Sequence, residues 1–140
     1  MLEKKLGYKV SFVQDNESKS TKGVLRGLHY QVPPFSQSKL IRVSYGRIID
    51  IVVDLRKSSP SFGKYIAEEL SDTNNRQIFI PHGFAHGFIV LSDTAIVSYK
   101  VDNYYSREHE RGIIYNDENL NIEWNFDLKN IIVSDKDKAH

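Results

Sequence analysis

Lys39-Leu40-Ile41-Arg42-Val43-Ser44-Tyr45, then Gly46, then Arg47-Ile48-Ile49-Asp50-Ile51-Val52-Val53-Asp54-Leu55 is the stretch that decides the fold class. Both runs are rich in Ile and Val, whose branched side chains suit a pleated surface, and the glycine between them breaks the run. Working outward, Lys64 to Leu70, Arg76 to Ile80, Gly87 to Leu91 and Thr94 to Val101 repeat the pattern, each bounded by Gly, Pro, Ser, Asn or Asp. Short strands at regular spacing, with no helical periodicity between them, predict a β-sandwich or small barrel rather than an α/β fold. A single helical turn is expected at Leu2 to Leu6, stopped by Gly7.

Alternation along these strands says which side chains share a face. Lys39 falls in step with Ile41, Val43 and Tyr45, and Tyr99 with Ala95, Val97 and Val101. In the second run Ile49, Ile51 and Val53 form one face, with Asp50, Val52 and Asp54 on the other. A charged side chain on an apolar face must be paired, functional, or placed at a strand end where it reaches water.

The 140 residues suit one domain spanning 1–140, and 19 basic residues against 18 acidic leave a net charge of +1. Bulk attraction to a polyanion is thereby excluded, so no nucleic-acid partner is expected, and an anionic ligand must be held by a few placed cations. The absence of cysteine removes disulfides, thiolate metal sites and a Cys nucleophile together. No apolar run approaches the ~20 residues needed to span a bilayer, and the opening has no signal-peptide pattern, so a cytoplasmic protein without a membrane partner is expected.

His29 lies in Gly23-Val24-Leu25-Arg26-Gly27-Leu28-His29-Tyr30-Gln31, and His82 and His86 lie in Ile80-Pro81-His82-Gly83-Phe84-Ala85-His86-Gly87-Phe88. Pro and Gly make the second segment a turn entering a strand, so His82 and His86 are not a helical metal pair. His29, His86 and Asp50 offer three donors, but no H-x-H pair accompanies them and no Glu completes the set, so no metal is expected. A metal-free site gives each group a task. A His near neutrality serves as general base, a carboxylate orients it, a Tyr returns a proton, and a Lys stabilises an oxyanion. Taken singly, each of these residues reads more readily as an ordinary hydrogen-bonded barrel side chain, and spacing alone assigns no catalytic role.

Phe12 to Asn16, Gly23 to Gln31, Lys39 to Val43, Val53 to Gly63, Ile80 to Phe88 and Tyr104-Tyr105-Ser106 occur in an order that resembles the dTDP-4-dehydrorhamnose 3,5-epimerase family, from about Phe12 to Asp137. The resemblance implies an all-β double-stranded β-helix, a cupin-like jelly roll, working as a homodimer without cofactor on a dTDP-4-keto-6-deoxyhexose. It implies that His29 is the general base, Asp137 its paired carboxylate, Tyr99 the general acid and Lys39 the stabiliser of the enolate oxygen. By the same resemblance His86 contacts substrate with Asp50 behind it. Gln14, Asp15, Asn16, Arg26, Glu110 and Lys136 contact the nucleotide-sugar, and Tyr105 is an aromatic beside it. The inward parity of Lys39 and Tyr99 agrees with these roles.

Family members carry a further N-terminal segment that has no counterpart here, so the chain is expected to be shortened, with weaker nucleotide binding. The alternatives to 3,5-epimerisation are a silent nucleotide-sugar-binding barrel, or a 3-epimerase or ketoisomerase on a related dTDP-sugar.

Overall fold

The computed structural model describes residues 7–138, so the turn expected at Leu2 to Leu6 lies outside the described residues. Ten strands are present among them: β1 (Gln14–Thr21), β2 (Val24–Gln31), β3 (Lys39–Tyr45), β4 (Arg47–Asp54), β5 (Tyr65–Ser71), β6 (Gln77–Ile80), β7 (Phe84–Val90), β8 (Thr94–Val101), β9 (Glu110–Gly112) and β10 (Ile132–Val133). One sheet runs β1-β8-β3-β6, the other β10-β2-β7-β4-β5 with β9 added along β2. This is the all-β, cupin-like architecture expected. Apart from the short β10, which lies parallel to β2, all pairings are antiparallel. Among the described residues no helix is long and apolar enough to cross a membrane.

Two apolar layers hold the fold. Between the sheets, Ile41, Val43, Ala95 and Val97 pack against Ile48, Val52, Leu70, Phe88 and Val90. On the outer face of the larger sheet, Leu25, Leu28, Ile49, Ile51, Val53 and Ile89 are covered by Trp124 and Val133, with Leu120, Ile122 and Phe126 alongside. Trp124 is buried at 3% exposure and donates its indole N–H to the Tyr115 carbonyl at 3.0 Å. This second layer explains why Arg47–Asp54 reads as continuously apolar, since both faces of β4 are buried.

The structure corrects four readings. Tyr45 does not share the inward face of Lys39, Ile41 and Val43. The β3–β8 register shifts between Val43 and Tyr45, and Tyr45 is 57% exposed. Strand β7 starts at Phe84, three residues before the expected Gly87, because Phe84 and Ala85 already pair with Asp54 and Val53. β1 and β2 are full strands that apolar content alone did not single out, as β1 is almost wholly polar. Helical structure also occurs beyond the opening residues, in the turn Asp135–Lys138, which carries Asp137.

β2 holds the feature that shapes the site. Between Arg26 and His29 the β2–β7 register gains one residue on β2. Three-residue spacing on a regular strand puts two side chains on opposite faces, and the bulge cancels that offset. Leu25 and Leu28 thus enter the outer layer, while Arg26 and His29 line one cleft. Gly27 makes this possible: its φ is +122°, and a Cβ there would lie 2.6 Å from the Gly87 Cα.

Candidate active site

The cleft opens between the two sheets. A space of about 270 Å³ is lined by Arg26, His29, Lys39, His86, Tyr99 and Asp137, among others. A neighbouring space of about 290 Å³ shares His29, Lys39 and Tyr99 with it and adds Gln14, Asn16, Tyr105 and Glu110. Lys136 lies on the first lining. Asp50 stands behind His86, accepting from its Nε2 at 2.6 Å, and is completely buried. Of the residues expected at the site, Asp15 alone faces elsewhere. Strand alternation turns it to the outer side of the smaller sheet, where it accepts from Lys100 at 2.8 Å beside a separate depression containing Arg42.

The His29 ring is held by the Asp137 carboxylate through Nε2. Asp137 reaches it because β10 runs along β2 and the following turn is fixed by Ser134, whose hydroxyl accepts from the Asp137 N–H at 3.2 Å. The carboxylate also accepts from the Gly27 N–H at 3.3 Å, inside the bulge. Burial pushes the Asp137 pKa up, but bonds from His29, Gly27 and Ser134 together with the His29 charge outweigh it, leaving the group below its ordinary range. A carboxylate on Nε2 favours the tautomer protonated there and leaves the lone pair at Nδ1.

Lys39 and Tyr99 come from the opposite sheet, on β3 and β8. Burial lowers the Lys39 pKa, opposed by the charges of Asp50 and Glu110. Half-buried, Lys39 lines both spaces of the cleft rather than reaching into bulk water from a strand end. Burial raises the Tyr99 pKa, with Arg26 opposing, so the phenol holds its proton firmly. At the rim, Lys136 forms an ion pair with Glu110, and its ammonium lies 6.0 Å from the Tyr105 ring centroid. The hydrogen bond to Glu110 raises the Lys136 pKa, against some desolvation.

His82 and His86 diverge. His82 binds Asp102 at 3.1 Å and stacks on Tyr8 with ring centroids 4.2 Å apart, away from the cleft, whereas His86 binds Asp50. Among the described residues no three His, Asp or Glu side chains converge as a metal-ligand group. Several cleft residues escaped the sequence reading, Ser18, Gln31, Gln37 and Ser134 among them. Gln31 lines the second space, is 7% exposed, and sits on the same side of β2 as His29. Its place two residues beyond His29 was the available signal.

A histidine–carboxylate pair facing a half-buried lysine and a protonated phenol across a cleft between two β-sheets defines an acid–base enzyme that moves protons on its substrate. The comparisons narrow the class. The model of the family described as dTDP-4-dehydrorhamnose 3,5-epimerase matches residues 1–140, and the chain belongs to that family.

Among relatives, the dTDP-4-dehydrorhamnose 3,5-epimerase of Shigella flexneri is 56% identical over 137 residues, covering 98% of this chain and 75% of the relative. That of Escherichia coli K12 is 51% identical over 133 residues, covering 95% and 71%. Among solved structures, the enzyme from Elizabethkingia anophelis superposes with a TM-score of 0.94 at 48% identity, covering 98% of this chain and 75% of that one. The dTDP-6-deoxy-D-glucose-3,5-epimerase of Legionella pneumophila, in complex with dTDP-4-keto-L-rhamnose, gives 0.91 at 48% identity, covering 98% and 72%.

Proposed function

We propose that this chain inverts C3 and C5 of a dTDP-4-keto-6-deoxyglucose, giving dTDP-4-dehydrorhamnose, with the cleft residues in the following roles. The 4-keto group acidifies the protons on the flanking carbons. His29, oriented by Asp137, removes one, and the electron pair moves onto the ketone oxygen. Lys39 stabilises that enolate oxygen. Tyr99 returns a proton to the carbon from the other side, which inverts the centre. The His29 proton is then released to water and Tyr99 is reprotonated, so the second centre follows by the same steps.

The observation that supports this reading best is that His29 and Tyr99 line one cleft from opposite sheets. Inversion needs its base and acid on opposite faces of a planar enolate, and two facing sheets supply that arrangement. Arg26 on the first lining and Lys136 at the rim are the cations for the diphosphate. Gln14, Asn16, Tyr105 and Glu110 border the space for the nucleoside. His86, oriented by Asp50, contacts the sugar. We place the protein in the cytoplasm as a homodimer, the second copy meeting it through sheet surface.

The test is incubation with dTDP-4-keto-6-deoxyglucose in deuterated water, followed by NMR. Deuterium at both C3 and C5 with the rhamno configuration in the product supports the assignment. Deuterium at C3 alone marks a 3-epimerase, a keto group moved to C3 marks a ketoisomerase, and binding without exchange marks a silent barrel. Light scattering at micromolar concentration tests the assembly, since a species at the monomer mass of 16.2 kDa overturns the dimer.

A further inference from the structure

The buried amide of Gln31 does no proton chemistry, yet all three of its hydrogen bonds run to backbone of two loops at the cleft mouth. Its Nε2 donates to the Phe35 carbonyl at 2.6 Å and to the Tyr104 carbonyl at 3.2 Å. Its Oε1 accepts from the Ser106 N–H at 2.8 Å. The partners fix the amide's orientation, because two carbonyls require donors and an N–H requires an acceptor. Tyr105 is the residue between the two tethered positions. The ring that borders the cleft is therefore carried on a three-residue span pinned at both ends by one side chain.

The rest of the rim follows from that anchor. Gln37 donates to the Asn103 carbonyl at 2.8 Å, and Asn103 donates to the Pro34 carbonyl at 3.2 Å, both between the same two loops. These groups lie nearer the surface, where water competes for their bonds, whereas Gln31 is 7% exposed. A buried amide with nearly full satisfaction is costly to disrupt, since its partners are left without bonds.

We infer that Gln31 is a positioning residue, holding the Tyr104–Ser106 span so that Tyr105 meets the nucleotide end of the substrate while His29, two residues earlier on β2, meets the sugar. This rests on the reading above that Tyr105 borders the nucleoside. Gln31 thereby sets affinity for the nucleotide, and the reacting carbons do not depend on it.

The experiment compares the unmodified protein, Gln31→Met, Gln31→Glu, Tyr105→Ala and the double variant Gln31→Met/Tyr105→Ala. It reads kcat and KM for epimerisation and the Kd of dTDP alone. Methionine keeps the volume and removes the bonds. Glutamate keeps the acceptor for Ser106 but sets oxygen against two carbonyls. Loss of the tethers is expected to raise KM and the dTDP Kd about tenfold in Gln31→Met, with kcat within about twofold. Gln31→Glu is expected to rise no less, and the double variant to bind dTDP no more weakly than Tyr105→Ala alone. A Tyr105→Ala variant that binds dTDP normally overturns the placement of the nucleotide. If Tyr105→Ala weakens dTDP while Gln31→Met does not, or if the two losses simply add, the positioning role fails and the placement stands. Hydrogen exchange on the unmodified protein gives an independent check, since a Ser106 amide exchanging at an unprotected rate overturns the tether.

Discussion

His29 and His86 stand directly opposite one another across the β2–β7 pair, and each ring is held by a different carboxylate, Asp137 for the first and Asp50 for the second. Facing positions on neighbouring strands put both rings on one side of the sheet, above the cleft. The surroundings of the two pairs differ. Asp50 is completely sealed in, while Asp137 reaches its histidine from the C-terminal turn at the cleft wall. Both imidazoles line the same cleft, and the proposed roles give proton transfer to the first and substrate contact to the second.

His29→Ala is expected to abolish deuterium incorporation at both carbons while leaving the fold intact, since the ring sits at the cleft wall rather than in either apolar layer. A fall of about 10²–10⁴-fold in kcat is the scale for removing a general base. Exchange near the unmodified rate in a folded variant would reassign the base.

Tyr99→Phe separates the two halves of the reaction. Abstraction by His29 still occurs, so exchange persists in part, while inverted product falls by about 10²-fold or more because the acid on the far face is gone. NMR of the same incubation reads both quantities. Equal loss of exchange and inversion would make Tyr99 structural only.

With Lys39 in its proposed role, the alkaline limb of the rate is expected to follow this residue. Its pKa is lowered from 10.5 by burial, so the ammonium is present at low pH and lost as pH rises through that lowered value. Burial raises the Tyr99 pKa above 10.0, which moves loss of the phenol proton to higher pH. A pH profile of kcat is expected to fall below pH 10.5, and Lys39→Arg, whose guanidinium does not deprotonate, to carry the fall to higher pH. An unmoved limb would assign it to another group.

Gly27→Ala tests the bulge. The new Cβ meets backbone of Gly87 and His86 at 2.6 and 2.8 Å, and the residue sits at a φ of +122°. Strain and overpacking together are expected to cost about 2–5 kcal/mol in chemical denaturation, with activity reduced further because the Gly27 amide helps hold Asp137. An Ala variant as stable and active as the parent would show that the bulge tolerates a side chain.

Asp54, 3% exposed, anchors the loop after β4 by accepting from the Arg56 guanidinium at 2.9 and 3.0 Å and from Ser59 at 2.7 Å. Arg56 chiefly, helped by Ser61 and Ser59 against the effect of burial, holds its carboxyl well below the ordinary 3.8. A carboxyl depressed in the folded state adds stability that is full above 3.8 and lost as pH falls toward the folded value. Asp54→Ala is therefore expected to lose about 1–3 kcal/mol at neutral pH and to flatten the acid dependence of the thermal midpoint. An unchanged acid limb would place that dependence elsewhere.

Strands β3 to β8 and the inward parity of Lys39 and Tyr99 were legible in the sequence, because alternation is a local property and each of these strands has an apolar face, whereas the polar β1 gave no such signal. The motif order carried the family, and with it the pairing of His29 with a carboxylate over a hundred residues away, which no local rule reaches. Tertiary structure alone decided the rest. Arg26 and His29 share a cleft only because a bulge at Gly27 cancels their parity, and that bulge depends on the close approach of Gly87 on another strand. Asp137 meets His29, and Gln31 meets the Tyr104–Ser106 span, only because distant segments are brought together. Tyr45 left the face its spacing assigned because the β3–β8 register slips beside it. Alternation tells which residues share a side of one strand, but register between strands tells which of them meet, and register is set only when the sheets close.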